Sequence, residues 1–223
     1  MDIRSIVNRL IDDIANGASI SQILSKAQIV AFSISDDMFS KLIKNEQQGY
    51  SSEDTMPDYR KVKTMVKATF VYPFNNIQTV NVPCEAIEDE RIRDLMTYVY
   101  VREPLVQVEA MYSNAESGMV TMQVPIFAYS TIKSLYNSDG YKVYSAKYCF
   151  PKESLLSIVE NFKAQLLDLL LQFNDKLDWN IDISADKNKD MAKTIINNVY
   201  NVKAAVANMG SGNIETNDIM TNC

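Results

Sequence analysis

The most specific stretch of this chain lies between residues 45 and 60. It reads Asn45-Glu46-Gln47-Gln48-Gly49-Tyr50, then a polar spacer, then Pro57-Asp58-Tyr59-Arg60. Gly49 is placed to end a helix, because glycine readily adopts the left-handed conformations found at helix ends. After Tyr59 the apolar residues change from helical spacing to alternation. The stretch therefore predicts a junction, across a short loop, between a helical N-terminal part and a β-rich part.

Upstream of this junction the apolar spacing predicts three helices. Asn16-Gly17 closes the first helix, over residues 3–15, and Ser19 with Gln22 forms an S-x-x-Q capping box for the second. The third begins near Asp36, where acidic residues suit the positive end of a helix dipole. The first helix has these apolar residues at helical spacing: Ile3, Ile6, Val7, Leu10, Ile11 and Ile14. We therefore expect an N-terminal three-helix bundle.

Downstream of the junction the pattern favours strands, with two shorter helices between them. Alternating apolar residues predict strands over 59–72 and 77–82, ended by Pro73 and Pro83, and another over 119–124, ended by Pro125. Residues 85–98 and 103–113 have helical spacing. An aromatic-rich run over 141–150 is typical of a further strand. These segments predict a small mixed or antiparallel sheet.

The C-terminal third begins with the strongest helical signal. Apolar residues repeat at steps of three and four over 152–177, which is typical of either a core-facing helix or a coiled-coil seam. We expect an α+β domain over residues 1–180, a polar linker over 181–193 and an Asn/Gly-rich, strand-like tail over 194–223. Such a tail has no core of its own, so it packs on the domain, pairs with another chain or is disordered. Of these we expect pairing with another copy, which makes a homo-oligomer.

Together with the second helix, which contains Ser21-Gln22-Ile23-Leu24-Ser25-Lys26-Ala27, the 45–60 stretch resembles the AbiTii family. The resemblance covers roughly residues 1–83, and the long helix at 152–177 falls where the family has one. It implies a bacterial abortive-infection setting, in which the protein acts beside an effector or sensor encoded nearby. It supplies no established catalytic group. The expected function is a non-enzymatic interaction or regulatory module that works through protein contacts.

Composition excludes several other classes. The formal net charge is −6 and the pI about 4.8, so the mean field opposes nucleic acid and anionic membranes, and we expect neither as a partner. The chain has no histidine, which excludes nucleophile pairs and zinc sites that need one. Cys84, Cys149 and Cys223 are far apart and predict free thiols. Without a secretion signal or an apolar run long enough to span a bilayer, we expect a cytoplasmic protein that needs no metal or cofactor.

Two sets of polar residues are candidates for a functional site. Glu46, Tyr50, Tyr59 and Arg60 form either a ligand or partner surface, or a buried lock between the helices and the first strand. Lys61, Lys63 and Lys67 form either a nucleic-acid stripe or the solvent face of a strand.

A third possibility is a histidine-independent metal nuclease. Its carboxylates would come from the acidic pairs at 12–13 and 36–37 and the acidic run at 88–90. No D/E-x-K follows Pro57-Asp58 at a useful distance, however, so the nuclease is an alternative to the interaction module and so is a nucleic-acid-sensing domain.

Overall fold

A computed structural model describes residues 2–115, 118–136 and 141–201. Its residues group into two compact units. Of the described residues, 2–49 and 160–201 form one unit, the helical unit, and those within Tyr50–Val159 form the other, the sheet unit. The predicted division of the chain at residues 180 and 193 stays a prediction.

The helical unit opens with the three predicted helices. Each begins where a side-chain oxygen caps a free backbone N–H: Asp2 accepts from Arg4, Ser19 from Gln22, and Asp36 from Phe39. The helices are α1 (Ile3–Ala15), α2 (Ile20–Ile34) and α3 (Asp37–Gln48). The predicted bundle is confirmed.

The sheet unit combines two antiparallel sheets with three helices. In the smaller sheet β1 (Lys61–Lys63) pairs with β4 (Tyr98–Tyr100). In the larger one the strand order is β3-β2-β6-β5, with every neighbouring pair antiparallel. Its strands are β2 (Met65–Val71), β3 (Ile77–Asn81), β5 (Met119–Gln123) and β6 (Lys142–Pro151). The helices are α4 (Glu90–Thr97), α5 (Leu105–Asn114) and α6 (Tyr129–Ser134). The predicted α+β class is confirmed.

One face of the four-stranded sheet forms the core of this unit. Alternate residues of β2, namely Val66, Ala68 and Phe70, are buried, and so are Ala146 and Tyr148 of β6. Residues from α4 and α6 complete the same apolar cluster. The residues between them point to the opposite face, because successive side chains of a strand alternate. The sheet is therefore covered on one face, and most side chains of its other face meet solvent.

The long predicted helix is α7 (Glu153–Lys176). Its apolar stripe is buried within the chain: Leu155, Val159, Phe162, Leu166, Leu169, Phe173 and Leu177. In the helical unit the ring of Phe173 meets that of Phe39 edge-on, with centroids 6.5 Å apart. The stripe is thus a core-facing surface and not a free coiled-coil seam. No helix in the described part of the chain is long and apolar enough to cross a membrane.

The segment after α7 differs from the prediction. Residues 186–196 form α8 (Asp186–Ile196), and a π-helical turn continues to Asn201, where the sequence predicts a linker to residue 193 and a strand-like tail from 194. Ala192, Ile195 and Ile196 are buried, and their i, i+3, i+4 spacing is that of a helix face. The rest of the predicted tail, residues 202–223, lies outside the described residues.

Asn188 of α8 forms hydrogen bonds with the segment that joins α7 to α8. Its side-chain oxygen accepts from the backbone N–H of Asp178 (3.0 Å), and its amide donates to the carbonyls of Asp178 (3.0 Å) and Asp182 (3.2 Å). A buried polar side chain is stable when its hydrogen bonds are made in this way. The first residues of the predicted linker are therefore fastened to α8.

Candidate functional site

The 45–60 stretch begins at the end of α3. Gly49 terminates the helix with φ 88° and ψ 169°, a backbone conformation that essentially only glycine adopts, and its N–H donates to the carbonyl of Asn45 at 2.8 Å. Glu46, one turn earlier, is fully buried. Burial raises the pKa of the Tyr200 phenol, and the charges of Glu46 and Asp168 raise it further. Glu46 is therefore part of the interior of the helical unit.

Arg60 lies at the other end of the stretch, in the sheet unit, and is also fully buried. One of its guanidinium nitrogens donates to the carbonyls of Val101 (3.1 Å) and Glu103 (2.8 Å). Its guanidinium carbon lies 5.1 Å from the ring centroid of Tyr50. Hydrogen bonds from a charged donor to carbonyls are stronger than neutral ones. Arg60 thereby fastens the chain after β4 to the start of β1.

The loop that begins at Tyr50 also contacts residues 101–103. The N–H of Tyr50 donates to the carbonyl of Arg102 at 2.8 Å, and the Arg102 guanidinium donates to the carbonyl of Ser51. The backbone N–H and hydroxyl of Ser51 both donate to the carboxylate of Asp54, at 2.9 and 2.7 Å. These contacts turn the polar spacer into a compact loop that lies along residues 101–103.

Glu46, Tyr50 and Arg60 are therefore interior residues, and Tyr59 is half-buried. The two interpretations of this motif, a ligand or partner surface and a buried lock, both stay predictions. The partners of Arg60 at residues 101 and 103 were not foreseen, because nothing in the local sequence pattern marks a carbonyl about forty residues away.

The predicted lysine stripe is divided between the two sheets. Lys61 lies on β1, with its ammonium 4.2 Å from the ring centroid of Tyr98 and 3.2 Å from a carboxylate oxygen of Asp94. Lys63 is exposed on the same strand, whereas Lys67 is exposed on β2 of the larger sheet. Lys61 thus has structural partners of its own.

Three of the acidic residues considered for a nuclease have local roles. Asp13 bonds to the ammonium of Lys26, and Asp36 and Asp89 cap α3 and α4. In residues 2–115, 118–136 and 141–201 no group of three or more His, Cys, Asp or Glu side chains is placed to hold a metal ion.

Two buried titratable groups lie beneath the four-stranded sheet. Burial raises the pKa of the Cys84 thiol to about 11, and burial likewise raises the pKa of the Tyr148 phenol to about 12. Tyr148 donates to the carbonyl of Leu95 at 2.8 Å. A thiol with such a pKa carries almost no thiolate at neutral pH and is a poor nucleophile. Both residues therefore act in packing.

A surface groove between α2 and α3 was not foreseen. It has a volume of about 520 Å³. Its floor contains the buried Ala31 and Ile43, and its wall contains Phe32, which is 82 % exposed, and Ile29. Polar side chains complete the lining: Gln28, Ser40, Lys44 and Gln48. A signal was present in the sequence, because Ile29 and Phe32 are apolar residues off the inner stripe of α2.

Comparison with known families gives a match to AbiTii over residues 5–198. The chain belongs to the AbiTii family. The match includes the 45–60 stretch, all of α7 and α8, and both units of the structure. Membership of AbiTii implies a role in abortive-infection defence against phage. No curated protein and no solved structure matches this AbiTii chain.

Proposed function

We propose that this protein is a non-enzymatic interaction and regulatory module of an abortive-infection system. It associates with itself and contacts an effector or sensor protein encoded nearby. The observation that carries the proposal is the groove between α2 and α3, with its exposed Phe32. The interior position of the 45–60 motif adds to it, because the most specific residues of the chain then serve the fold rather than a catalytic site.

The lining of the groove favours a protein occupant. Full burial of a phenylalanine side chain contributes about 1.5–3 kcal/mol of stabilisation. Phe32 is 82 % exposed, so most of this free energy is gained only when a partner covers it. Its neighbour Ile29 is 37 % exposed beside it, and the floor at Ala31 and Ile43 is apolar. An apolar floor with a polar rim is the usual arrangement at protein interfaces. The groove therefore suits an apolar peptide segment.

The occupant we propose is the C-terminal segment, residues 202–223, of a second copy of this chain. This segment is poor in charge, with only Lys203, Glu215 and Asp218, and contains small apolar residues such as Val202, Ala204, Ala205, Val206 and Ala207. It follows Tyr200, whose ring stacks on Phe39 with centroids 6.4 Å apart. Phe39 belongs to α3, which forms one wall of the groove. The low charge and the small apolar side chains of the segment match the apolar floor of the groove.

Reciprocal exchange of this segment between two copies gives a symmetric dimer with two equivalent interfaces. Light scattering of the full-length protein at high micromolar concentration tests it directly. We expect a dimer that Phe32→Ser and truncation after Asn201 both convert to a monomer. Phe127→Ser is the matched control, because Phe127 is similarly exposed but lies in the sheet unit, and it should leave the mass unchanged.

Two outcomes contradict the proposal. A full-length protein that stays monomeric shows that there is no self-association. A dimer that survives both Phe32→Ser and the truncation shows that copies meet at another surface, so that the groove and the C-terminal segment are not the interface.

A further inference from the structure

The face of the four-stranded sheet opposite its core is a cationic surface on an acidic protein. The strands β2, β3, β5 and β6 contain no Asp or Glu, although the chain has 28 acidic residues. They contain three lysines, Lys67, Lys142 and Lys147, and all three are exposed. This charge is therefore local to the sheet and does not follow from the composition of the chain.

Two of these lysines are direct cross-strand neighbours. Lys67 on β2 pairs with Lys147 on β6, so their side chains leave the same face of the sheet from adjacent strands. Like charges placed directly opposite each other destabilise a sheet. Neither lysine forms an ion pair with any of the described residues. A bound anion between them would remove the repulsion.

The flanking positions provide hydrogen-bonding groups. On the two outer strands Asn81 pairs with Lys67, and Gln123 pairs with Lys147, which gives a row of amide, ammonium, ammonium and amide across four strands. The next row contains hydroxyls: Thr79 and Thr69, whose Oγ1 atoms lie 3.0 Å apart, and then Ser145. Such a surface can hold an anion and hydrogen-bond the polar groups attached to it.

An aromatic side chain adjoins the same row. The register between β2 and β6 shifts between Thr69 and Phe70, so that Tyr144 is an extra residue of a β-bulge next to Ser145. Its side chain is 74 % exposed. Lysines beside an exposed aromatic ring are typical of surfaces that bind single strands, because the cations contact phosphates while the ring stacks on an unpaired base.

We propose that this open sheet face binds single-stranded nucleic acid. Lys67, Lys142 and Lys147 contact phosphates, and Tyr144 stacks on a base. A duplex is a poorer fit, because its paired and stacked bases have no free face for Tyr144. The site differs from the stripe predicted from sequence, since it replaces Lys61 and Lys63 by two lysines of β6. The acidic pI argues against nucleic acid only as an average, and the average does not hold on this face.

The test is fluorescence anisotropy of a labelled oligothymidylate with the full-length protein at several salt concentrations. Three phosphate contacts predict a slope of log K against log salt of about −2, since each contact contributes roughly −0.7 for a single strand. Replacing Lys67 and Lys147 together by alanine should weaken binding roughly tenfold or more and reduce the slope to about −0.7. Tyr144→Ala should weaken binding on the order of tenfold with the slope unchanged.

Lys63→Ala is the matched control, because Lys63 is also an exposed strand lysine but lies on the smaller sheet. It should leave both the affinity and the slope as in the wild type. Three results overturn the proposal: no binding at 50 mM salt, an equal loss in Lys63→Ala, and equally tight binding of polyglutamate. The light-scattering mass of the lysine variants should equal that of the wild type, so this test is independent of the proposed self-association.

Discussion

The guanidinium of Arg60 donates to the main-chain carbonyl of Glu103 at 2.8 Å from a fully buried position. This contact joins the chain at the start of β1 to the segment that follows β4. A backbone bond joins the same two segments, because the N–H of Val101 donates to the carbonyl of Arg60 at 3.0 Å. This bond lies next to the antiparallel pairing of β1 with β4. Residues 50–60 are therefore held by side-chain and backbone bonds to one distant segment.

Replacement of Arg60 by alanine should destabilise the protein by about 3 kcal/mol, because it leaves the carbonyls of Val101 and Glu103 without a charged donor in the interior. Arg60→Lys should recover only part of the loss, since an ammonium is more strongly hydrated than a guanidinium and is therefore less favourable in the interior. Denaturant unfolding at neutral pH measures both. If Arg60→Ala were as stable as the wild type, the motif would have no structural role and a surface role would gain support.

Gly49 allows a second, matched test of the same junction. Alanine at this position must adopt φ 88° and ψ 169°, which costs an L-residue roughly 1–3 kcal/mol. Gly118→Ala is the control, because a Cβ there meets no atom within 4 Å and no left-handed backbone angle is required. We expect a lower melting temperature for Gly49→Ala and little change for Gly118→Ala. Equal melting temperatures for the two variants would show that α3 can end without glycine.

The sequence predicts local features of this fold well and distant ones poorly. The starts of α2 and α3 could be located because Ser19 and Asp36 cap N–H groups three residues away. The partners of Arg60 and the pairing of Lys67 with Lys147 could not be predicted. The first lie about forty positions away along the chain, and the second joins residues about eighty positions apart. The error at residues 194–196 has another cause. Their β-branched residues suggested a strand, whereas packing within the helical unit stabilises a helix.

Stability should fall at alkaline pH because of the groups beneath the four-stranded sheet. The pKa of Cys84 is about 11 in the folded protein against an ordinary value near 9, and that of Tyr148 is about 12 against 10. Below about pH 8 both groups are protonated in both states, and their contribution to stability is complete. Between pH 9 and 12 the unfolded chain releases protons that the folded chain keeps, so the free energy of unfolding decreases as pH rises.

Urea unfolding between pH 7 and pH 10.5 measures this decrease. Tyr148→Phe is the informative variant: it loses the hydrogen bond to Leu95, about 1 kcal/mol at pH 7, but its stability should decline less steeply above pH 10. Burial also raises the pKa of Tyr136 and Tyr141, so part of the decline should remain. A free energy of unfolding that stays constant or increases from pH 8 to pH 10.5 would contradict the prediction.

Two truncations should separate the structural and the associative parts of the C-terminal segment. Truncation after Asp190 removes Ala192, Ile195 and Ile196, which are at most 1 % exposed, and the burial of each isoleucine contributes about 1.5–3 kcal/mol. This variant should melt at a clearly lower temperature. Truncation after Asn201 keeps α8 whole and should retain the melting temperature when both proteins are compared as monomers at low concentration. Circular dichroism measures both variants. A variant ending at Asp190 that is as stable as the full chain would contradict this prediction, because α8 would then contribute nothing to the fold. Any loss of the oligomer in that variant would then come from the removal of residues 191–223 as an interface and not from unfolding.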